Sequence, residues 1–297
     1  MAILRVNAIS KNYGAIQALK SVSFEVPPGS VFGILGPNGS GKTTLLGIVT
    51  DILRPTSGSF ELFDETPVSD HRRRIGTLLE TPNFYHYLSA VQNLKITAAI
   101  KHKDPGDVER VLEIVDLTKR RHSHFSTYSL GMKQRLAIAA CLLGDPEVLI
   151  FDEPTNGLDP VGIADTRELI RKLSMQGKTI IMASHLLDEV EKVCTHVAIL
   201  QKGTLIAHGH VDEILISEDI IEIAAADMDM LLARCRDIHG VLNITQANRH
   251  IELVFAAGTA SAESLNQTMS KQGITLNHLR LKKRTLESKF FELTKQG

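Results

Sequence analysis

The fold is decided by the stretch VFGILGPNGSGKT, residues 31–43. Residues 36–43 fit the pattern G-x-x-x-x-G-K-[ST], in which the backbone N–H groups of a glycine-rich loop surround a polyphosphate. The apolar run 31–35 predicts a buried strand before the loop. Residues 44–49 predict a helix whose N-terminus faces the phosphates. The stretch therefore predicts a nucleotide-phosphate site on an α/β fold.

A second apolar strand ends in two acidic residues. Residues 148–151 lead directly to Asp152 and Glu153. Ligands of open α/β sheets bind at the carboxyl ends of the strands. Asp152 suits Mg²⁺, directly or through water, and Glu153 suits a general base that polarises water. The alternative is a solvated strand end, which the phosphate loop earlier in the chain disfavours.

Composition and charge exclude several classes of function. The chain has 297 residues and a net charge of −1, with 43% hydrophobic and 23% charged residues, as in ordinary globular proteins. No basic surface is expected to attract nucleic acid. Twelve histidines show no ligand spacing, so no metal beyond Mg²⁺ is expected. Three widely spaced cysteines fit a reducing cytosol, and no apolar run reaches the ~18 residues of a membrane span.

The pattern of elements changes near residue 215. Strands alternate with helices over residues 1–215, which predicts a nucleotide-binding domain with a parallel sheet. The first two strands are predicted at 3–9 and 18–26, with residues 11–14 connecting them, and a later strand is predicted at 178–183. A helical subdomain at about 82–145 contains predicted helices at 87–101, 106–117 and 131–143. Residues 216–297 follow the order β-α-β-β-α-β of a small ferredoxin-like α+β domain. Its predicted strands are 219–226, 240–247, 249–256 and 274–282, and its predicted helices are 227–238, 260–272 and 285–295.

Five motifs occur in the order typical of one family. They are the phosphate loop, YSLGM at 128–132, FDEPT at 151–155, NGLD at 156–159 and SH at 184–185. Over about residues 1–215 the chain resembles the nucleotide-binding subunits of ATP-binding cassette (ABC) transporters, and this resemblance implies an α/β fold with a mixed sheet core and a helical subdomain. The segments IGTLLE at 75–80, Phe84-Tyr85 and YSLGMKQRL at 128–136 resemble the bacitracin-resistance branch, which exports small molecules or peptide antibiotics for self-protection.

The resemblance implies a homodimer, in which each ATP lies between one subunit's phosphate loop and the signature of the second copy. It implies that Lys42, Glu153 and His185 are catalytic and that Thr43, Asp152 and Glu80 hold Mg²⁺. It places Asp159 at the dimer interface. The implied ATP-binding residues are Tyr13, which stacks on adenine, and Gly36, Pro37, Asn38, Gly39, Ser40, Gly41, Lys42, Thr43 and Thr44. The signature residues acting in trans are Tyr128, Ser129, Leu130, Gly131 and Met132.

Three positions depart from the common family pattern. Glu80 and Met132 stand where a glutamine is usual, and Leu130 stands where a glycine is usual. The departures at Glu80 and in the signature also argue against an importer subunit, which is one alternative function. A regulatory ATPase acting on ribosomes or DNA is another, but this chain has neither two cassettes nor a long coiled-coil insertion.

The sequence predicts a peripheral protein on the inner face of the cell membrane, whose membrane-spanning part is a separate chain. Phe84 and Tyr85 follow a predicted loop, where two exposed aromatic side chains suit docking of a helix of that membrane subunit. The alternative is that these rings pack within the helical subdomain.

Overall fold

The computed structural model describes residues 2–65, 69–79, 83–215, 219–256, 258–282, 286 and 289–290. The strands are β1 (Leu4–Tyr13), β2 (Ile16–Val26), β3 (Val31–Leu35), β4 (Ser57–Leu62), β5 (Ile75–Leu78), β6 (Val148–Asp152), β7 (Thr179–Ser184), β8 (His196–Gln201), β9 (Thr204–His210), β10 (Asp219–Ala225), β11 (Val241–Gln246), β12 (Ile251–Phe255) and β13 (Leu276–Lys282). The helices are α1 (Lys42–Val49), α2 (Ala90–Ile100), α3 (Asp107–Ile114), α4 (Leu130–Leu142), α5 (Pro160–Met175), α6 (Leu187–Val193), α7 (Val211–Leu215), α8 (Met228–Cys235) and α9 (Ala262–Lys271).

The chain divides into two units, Met1–Val211 and Asp212–Gly297. Each unit has a hydrophobic core of its own. The predicted boundary at residue 215 lies at the end of α7.

The first unit is built on a six-stranded sheet in the order β5-β6-β7-β3-β8-β9. All neighbouring strands are parallel except β8 and β9, so the sheet is mixed, and the predicted α/β nucleotide-binding fold is confirmed. Every residue of β3, β6 and β7 is buried, as expected of parallel strands covered on both faces. Because these three strands are adjacent and parallel, their carboxyl ends meet at one edge.

A second, antiparallel sheet in the order β2-β1-β4 completes this part of the fold. Its first two strands were predicted at 3–9 and 18–26. In the structure β1 continues to Tyr13, and β2 begins earlier, at Ile16. The segment 11–13 is therefore strand rather than the predicted connection, because the hairpin closes in a tight turn at residues 14–15. Strand β5 was not predicted, because its four residues are too few to form a recognisable pattern.

Three helices form the predicted helical subdomain. Their predicted ranges, 87–101, 106–117 and 131–143, agree with α2, α3 and α4 to within three residues. The start of α2 is fixed by Ser89, which accepts a hydrogen bond from the Gln92 N–H, while the Gln92 side chain accepts one from the Ser89 N–H. This reciprocal pair satisfies two N–H groups that the first turn leaves free.

The second unit has a four-stranded antiparallel sheet in the order β11-β12-β10-β13. Together with α8 and α9, its elements follow the order β-α-β-β-α-β. The helices and one face of the sheet enclose a core that includes Ile221, Ile223, Leu253, Leu265 and Met269. The predicted final helix at 285–295 falls almost entirely outside the described residues.

All three cysteines are buried and free. Burial raises the pKa of the Cys141 thiol to about 12 and that of Cys235 to about 11, and it also raises the pKa of Cys194. Across the described residues, every helix is too short or too polar to cross a bilayer.

Candidate functional site

The loop 36–41 joins the end of β3 to the start of α1 and lies at the edge of the sheet where β6 and β7 end. Gly41 caps α1 with a φ of 107° and a ψ of 2°, in a region that favours glycine. A Cβ atom at Gly41 would lie 2.7 Å from the Ala18 carbonyl oxygen, so the loop also needs glycine for space. The Ser40 hydroxyl is buried and has no hydrogen-bond partner among the described residues.

Lys42 is held beneath this loop. Its Nζ donates to the carbonyl oxygens of Gly36 at 2.8 Å and Pro37 at 3.3 Å. It also lies 3.5 Å from Oε1 of Glu153, and the lysine is 6% exposed. The ammonium therefore bridges the loop and the acidic end of β6.

Glu153 connects the lysine to His185. Oε2 of Glu153 lies 2.8 Å from Nδ1 of His185 and accepts a 3.4 Å hydrogen bond from the His185 N–H. Glu153 has a φ of 48°, an uncommon value for a residue other than glycine. Its N–H nevertheless donates to the Ala183 carbonyl at 3.0 Å. This strained backbone turns the carboxylate back toward the ends of β3 and β7, at a cost of about 1–3 kcal/mol.

The residues expected to hold Mg²⁺ are only partly described. Asp152 is buried at the end of β6, and Thr43 is exposed in the first turn of α1. Carboxylate and hydroxyl oxygens are suitable Mg²⁺ ligands. Glu80 lies outside the described residues.

Tyr13 ends β1 and is about half exposed. Nζ of Lys11 lies 5.1 Å from the centre of its ring. Lys11 was not predicted as a site residue, although the two-residue period of a strand places Lys11 and Tyr13 on one face. The ring is accessible for stacking.

The predicted signature residues form the start of α4. Ser129 caps the helix and its Oγ accepts a 3.3 Å hydrogen bond from the Met132 N–H. Leu130 is exposed, whereas Tyr128 is buried and donates its hydroxyl proton to the Arg120 carbonyl at 2.7 Å. Burial raises the pKa of Tyr128. Among the described residues, no hydrogen bond or ion pair joins these signature residues to the phosphate loop.

Asp159 caps the N-terminus of α5 in the same way. Its Oδ1 accepts a 2.9 Å hydrogen bond from the Gly162 N–H, and Pro160 is the first residue of the helix. The turn before it brings Gly157 close to the signature, because a Cβ atom at Gly157 would lie 3.4 Å from Cδ2 of Leu130. The starts of α4 and α5 are therefore neighbours.

Comparisons with known proteins agree with this geometry. The profile of the ABC transporter family matches residues 19–156. YhcH of Bacillus subtilis (strain 168), described as an uncharacterized ABC transporter ATP-binding protein, is 34% identical over 297 residues, or 98% of this chain and 96% of that protein. The chain belongs to the ABC transporter ATP-binding proteins. The resemblance inferred from its motifs is confirmed, and the protein is an ATPase.

Other ABC transporter ATP-binding proteins match about 70% of the chain. The bacitracin transport ATP-binding protein BcrA of Bacillus licheniformis is 42% identical over 210 residues, 69% of this chain and 68% of BcrA. Among solved structures, CbiO1 of Clostridium perfringens, part of the ABC transporter complex CbiONQ, superposes with a TM-score of 0.66 at 32% identity. That match covers 72% of this chain and 90% of CbiO1.

The sequence of this ABC ATPase identified most of the residues that meet at the sheet edge, but it missed some of their contacts. The ion pair between Lys42 and Glu153 leaves no signal in the sequence, because it depends on side-chain conformation. Thr155 was likewise not singled out. Its hydroxyl is buried without a hydrogen-bond partner among the described residues, two positions after Glu153.

Proposed function

We propose that this protein is the ATPase subunit of an exporter of small molecules or peptide antibiotics, and that it works as a homodimer. The observation that carries the proposal is the convergence of Lys42, Glu153 and His185 at the end of the phosphate loop. A lysine, a carboxylate and an imidazole held together there suit transfer of a phosphoryl group to water.

ATP binding is assigned to the loop and to Tyr13. The backbone N–H groups of residues 36–41 and the N-terminus of α1 suit the negative phosphates. Lys42 then exchanges its present contact with Glu153 for the β- and γ-phosphates. The half-exposed ring of Tyr13 stacks on adenine, a contact worth ~1–3 kcal/mol for a base on an aromatic ring.

The donor set also fits Mg²⁺, which we assign to Thr43 and Asp152. Glu80 is the third assigned ligand, on the strength of its position in the sequence alone. A bound Mg²⁺ neutralises charge on the β- and γ-phosphates.

Hydrolysis is assigned to Glu153 and His185. Glu153 accepts a proton from water as the water oxygen bonds to the γ-phosphorus, and the bond from that phosphorus to the bridging oxygen breaks to release ADP. His185 holds the Glu153 carboxylate through Nδ1 at 2.8 Å. It is therefore placed to orient the water and to contact the γ-phosphate.

The homodimer follows from where the signature lies. Ser129 begins α4, whose N-terminal N–H groups suit a phosphate, but the described chain shows no bond from the signature to its own loop. A second copy supplies the missing contact in our proposal, with Ser129 and Gly131 at the γ-phosphate and Asp159 at the interface.

The names of two relatives support a role in export, and one cavity supports a membrane partner. BcrA is named for bacitracin transport, and SrtF of Streptococcus pyogenes, 36% identical over 210 residues, for lantibiotic transport. A cavity of about 800 Å³ in the first unit carries two exposed isoleucines, Ile52 and Ile100, which are 65% and 74% exposed. We assign it to an amphipathic helix of an integral-membrane subunit, which places the protein on the cytoplasmic face of the membrane.

The predicted docking segment is divided in the structure. The Phe84 ring packs edge-on against the buried Phe125 at 5.3 Å and is half-buried rather than exposed as expected. Tyr85 and Tyr87 are exposed, with their rings 6.0 Å apart, and remain part of the proposed docking surface.

The domain assignment is also a proposal. We assign residues 1–215 to the nucleotide-binding domain and residues 216–297 to an accessory domain of the ferredoxin-like kind. The β-α-β-β-α-β order and the strand order β11-β12-β10-β13 support the second assignment.

The test of this proposal is Glu153→Gln. The substitution keeps the shape of the side chain but removes the base, so turnover should fall by at least ~100-fold while ATP still binds. With ATP and Mg²⁺, the variant should accumulate as a dimer in size-exclusion chromatography. Glu147→Gln, which changes a glutamate at the opposite end of the same strand, is the matched control. Near-normal ATP hydrolysis by Glu153→Gln would contradict the assignment of Glu153 as the general base.

A further inference from the structure

The second unit carries a cluster of charged and imidazole side chains on one face of its sheet. In β10, Ile221 and Ile223 point into the core, so Glu222 between them points to the other face. Glu222 pairs directly with Glu252 of β12, and His250 lies two residues before Glu252. His278 and Lys282 reach the same cluster from β13.

The geometry points to a metal site, and we propose that Glu222, His250, Glu252 and His278 bind one divalent first-row transition-metal ion, best matched by Zn²⁺. One ligand atom from each of Glu222, His250 and Glu252 lies within 4.8 Å of the others. Nε2 of His278 lies 3.6 Å from Oε2 of Glu222 and supplies a fourth ligand.

The separations between these atoms are those of ligands around an ion. Nε2 of His250 is buried and makes no hydrogen bond in the described part of the chain. It lies 3.9 Å from Oε1 of Glu222 and 3.7 Å from Oε1 of Glu252. These distances exceed hydrogen-bonding range, whereas two ligands each about 2.1 Å from a tetrahedral Zn²⁺ lie roughly 3.4 Å apart. Small side-chain movements therefore suffice to bring all three onto one ion.

The chemistry of the donors selects the class of ion. Mg²⁺ and Ca²⁺ prefer ligand sets made only of oxygen, whereas imidazole nitrogen combined with carboxylate oxygen suits zinc and its neighbours. The three cysteines do not compete for such ions, because each is buried and its thiol pKa is raised.

Lys282 marks the position that a cation favours. Its Nζ lies 2.8 Å from Oε1 of Glu252 and 3.3 Å from Oε1 of Glu222. Burial opposes ionisation of Glu222, but the hydrogen bond and charge of Lys282, with help from His250 and His278, bring the pKa of that carboxyl below its usual value. The carboxylates of Glu222 and Glu252 carry one negative charge more than the single Lys282 ammonium balances. A dication that displaces the half-exposed lysine removes this excess.

The test uses full-length, nucleotide-free protein stripped of metal. Co²⁺ is titrated while its visible d–d absorption is recorded, and Zn²⁺ is then added as competitor. One equivalent of Co²⁺ should bind saturably and be displaced by Zn²⁺. His250→Ala and Glu222→Gln should each weaken Co²⁺ binding by at least about tenfold. If one of these two variants fails to fold, His278→Gln, which changes an exposed ligand on β13, gives the same test.

Two further variants sharpen the result. Lys282→Met should bind Co²⁺ several-fold more tightly, because it removes the competing ammonium and leaves every ligand in place. His239→Ala, an exposed histidine of the same unit outside the cluster, and Asp152→Asn, at the ATP site, should bind as the wild type does. Absence of saturable Co²⁺ binding by the wild type, or wild-type affinity in the folded ligand variants, would overturn the proposal whatever the outcome for ATP hydrolysis.

Discussion

At the scale of single residues, the contact between Lys42 and Glu153 links nucleotide binding to the catalytic base. The Lys42 ammonium donates to two loop carbonyls and lies 3.5 Å from the Glu153 carboxylate. In our proposal, a phosphate that enters the loop takes the ammonium away from Glu153. The carboxylate then keeps only His185 as a close partner and becomes available to water.

Removing the charge of Glu153 should therefore strengthen nucleotide binding. In Glu153→Gln, Lys42 no longer gives up an ion pair when phosphate enters. Because this pair is partly exposed and worth about 0.5–1 kcal/mol, the dissociation constant for ADP should fall roughly two- to fivefold. Isothermal titration with ADP measures the change, and ADP is chosen because it lacks the γ-phosphate that joins two subunits in our proposal.

The matched control for ADP is again Glu147→Gln. Glu147 pairs with Arg74 at 2.8 Å, at the opposite end of β6 from the loop. The affinity of the Glu147→Gln variant for ADP should match that of the wild type. Weaker binding of ADP to Glu153→Gln would show that the ion pair prepares the loop for phosphate instead of competing with it.

At the scale of elements, the starts of α4 and α5 form one surface. Ser129 and Asp159 both cap their helices with side-chain oxygens, and the turn at Gly157 packs beside Leu130. In the proposed homodimer both ends contact the second copy. A substitution at Ser129 therefore has two separable effects, one on the cap and one on the partner's phosphate.

Two variants at Ser129 separate these effects. Ser129→Arg removes the cap and should cost about 0.5–2 kcal/mol of stability, whereas Ser129→Asp preserves a good cap. Both should abolish ATP hydrolysis, because arginine blocks the surface and aspartate repels the γ-phosphate. Thermal unfolding and steady-state ATPase rates are the measurements.

A mixing experiment then tests the contribution in trans. A mixed dimer of Ser129→Asp and Lys42→Ala contains one composite site free of both changes, so some activity should return if a single site can act. Hydrolysis that does not depend on protein concentration, or a fully active monomer, would contradict the sandwich.

The structure shows which elements a sequence reveals. Helices α2 to α4 were predicted closely because their apolar residues recur with helical spacing, and β3, β6 and β7 because they are unbroken apolar runs. The four residues of β5 are too few to show a period. The extension of β1 to Tyr13 escaped prediction because its outer half is mostly polar and gains its order from pairing with β2.

At the scale of the whole molecule, the export that we propose requires the ATPase to reach a membrane subunit, and we assign that contact to the cavity that Ile52 and Ile100 line. Ile52→Ser combined with Ile100→Ser should leave the ATPase rate of the isolated protein within a few-fold of normal. In the source cells, the double variant should be lost from the membrane fraction, and resistance to bacitracin-like peptides should fall to that of a deletion strain.

Met175→Ser is the matched control for this double variant. Met175 is 78% exposed at the end of α5 and does not line the cavity. When expressed in the deletion strain, the Met175→Ser protein should be found in the membrane fraction and should restore antibiotic resistance in full. The double variant Tyr85→Ala, Tyr87→Ala shows how much the two aromatic rings contribute to membrane association. Unchanged antibiotic resistance in the deletion strain, together with loss of a nutrient uptake, would favour an importer.

The same scale shows what the sequence does not reveal about sites. The family resemblance implied that Glu153 and His185 act together, and each of them follows a strand of one parallel sheet. The cluster around Glu222 was not expected, since its members come from three antiparallel strands with no recognisable spacing along the chain. Only the register, with Glu222 opposite Glu252 and next to β13, brings them together.

The burial of all three cysteines has a practical consequence for watching the subunits move. Alkylating reagents attack exposed thiolates, whereas the Cys141 thiol is buried and its pKa is raised to about 12. Met175→Cys should therefore take up a fluorophore selectively in the otherwise unaltered chain. Energy transfer between two such labels then tests whether the two copies of the proposed homodimer approach each other in real time, without first removing any native thiol.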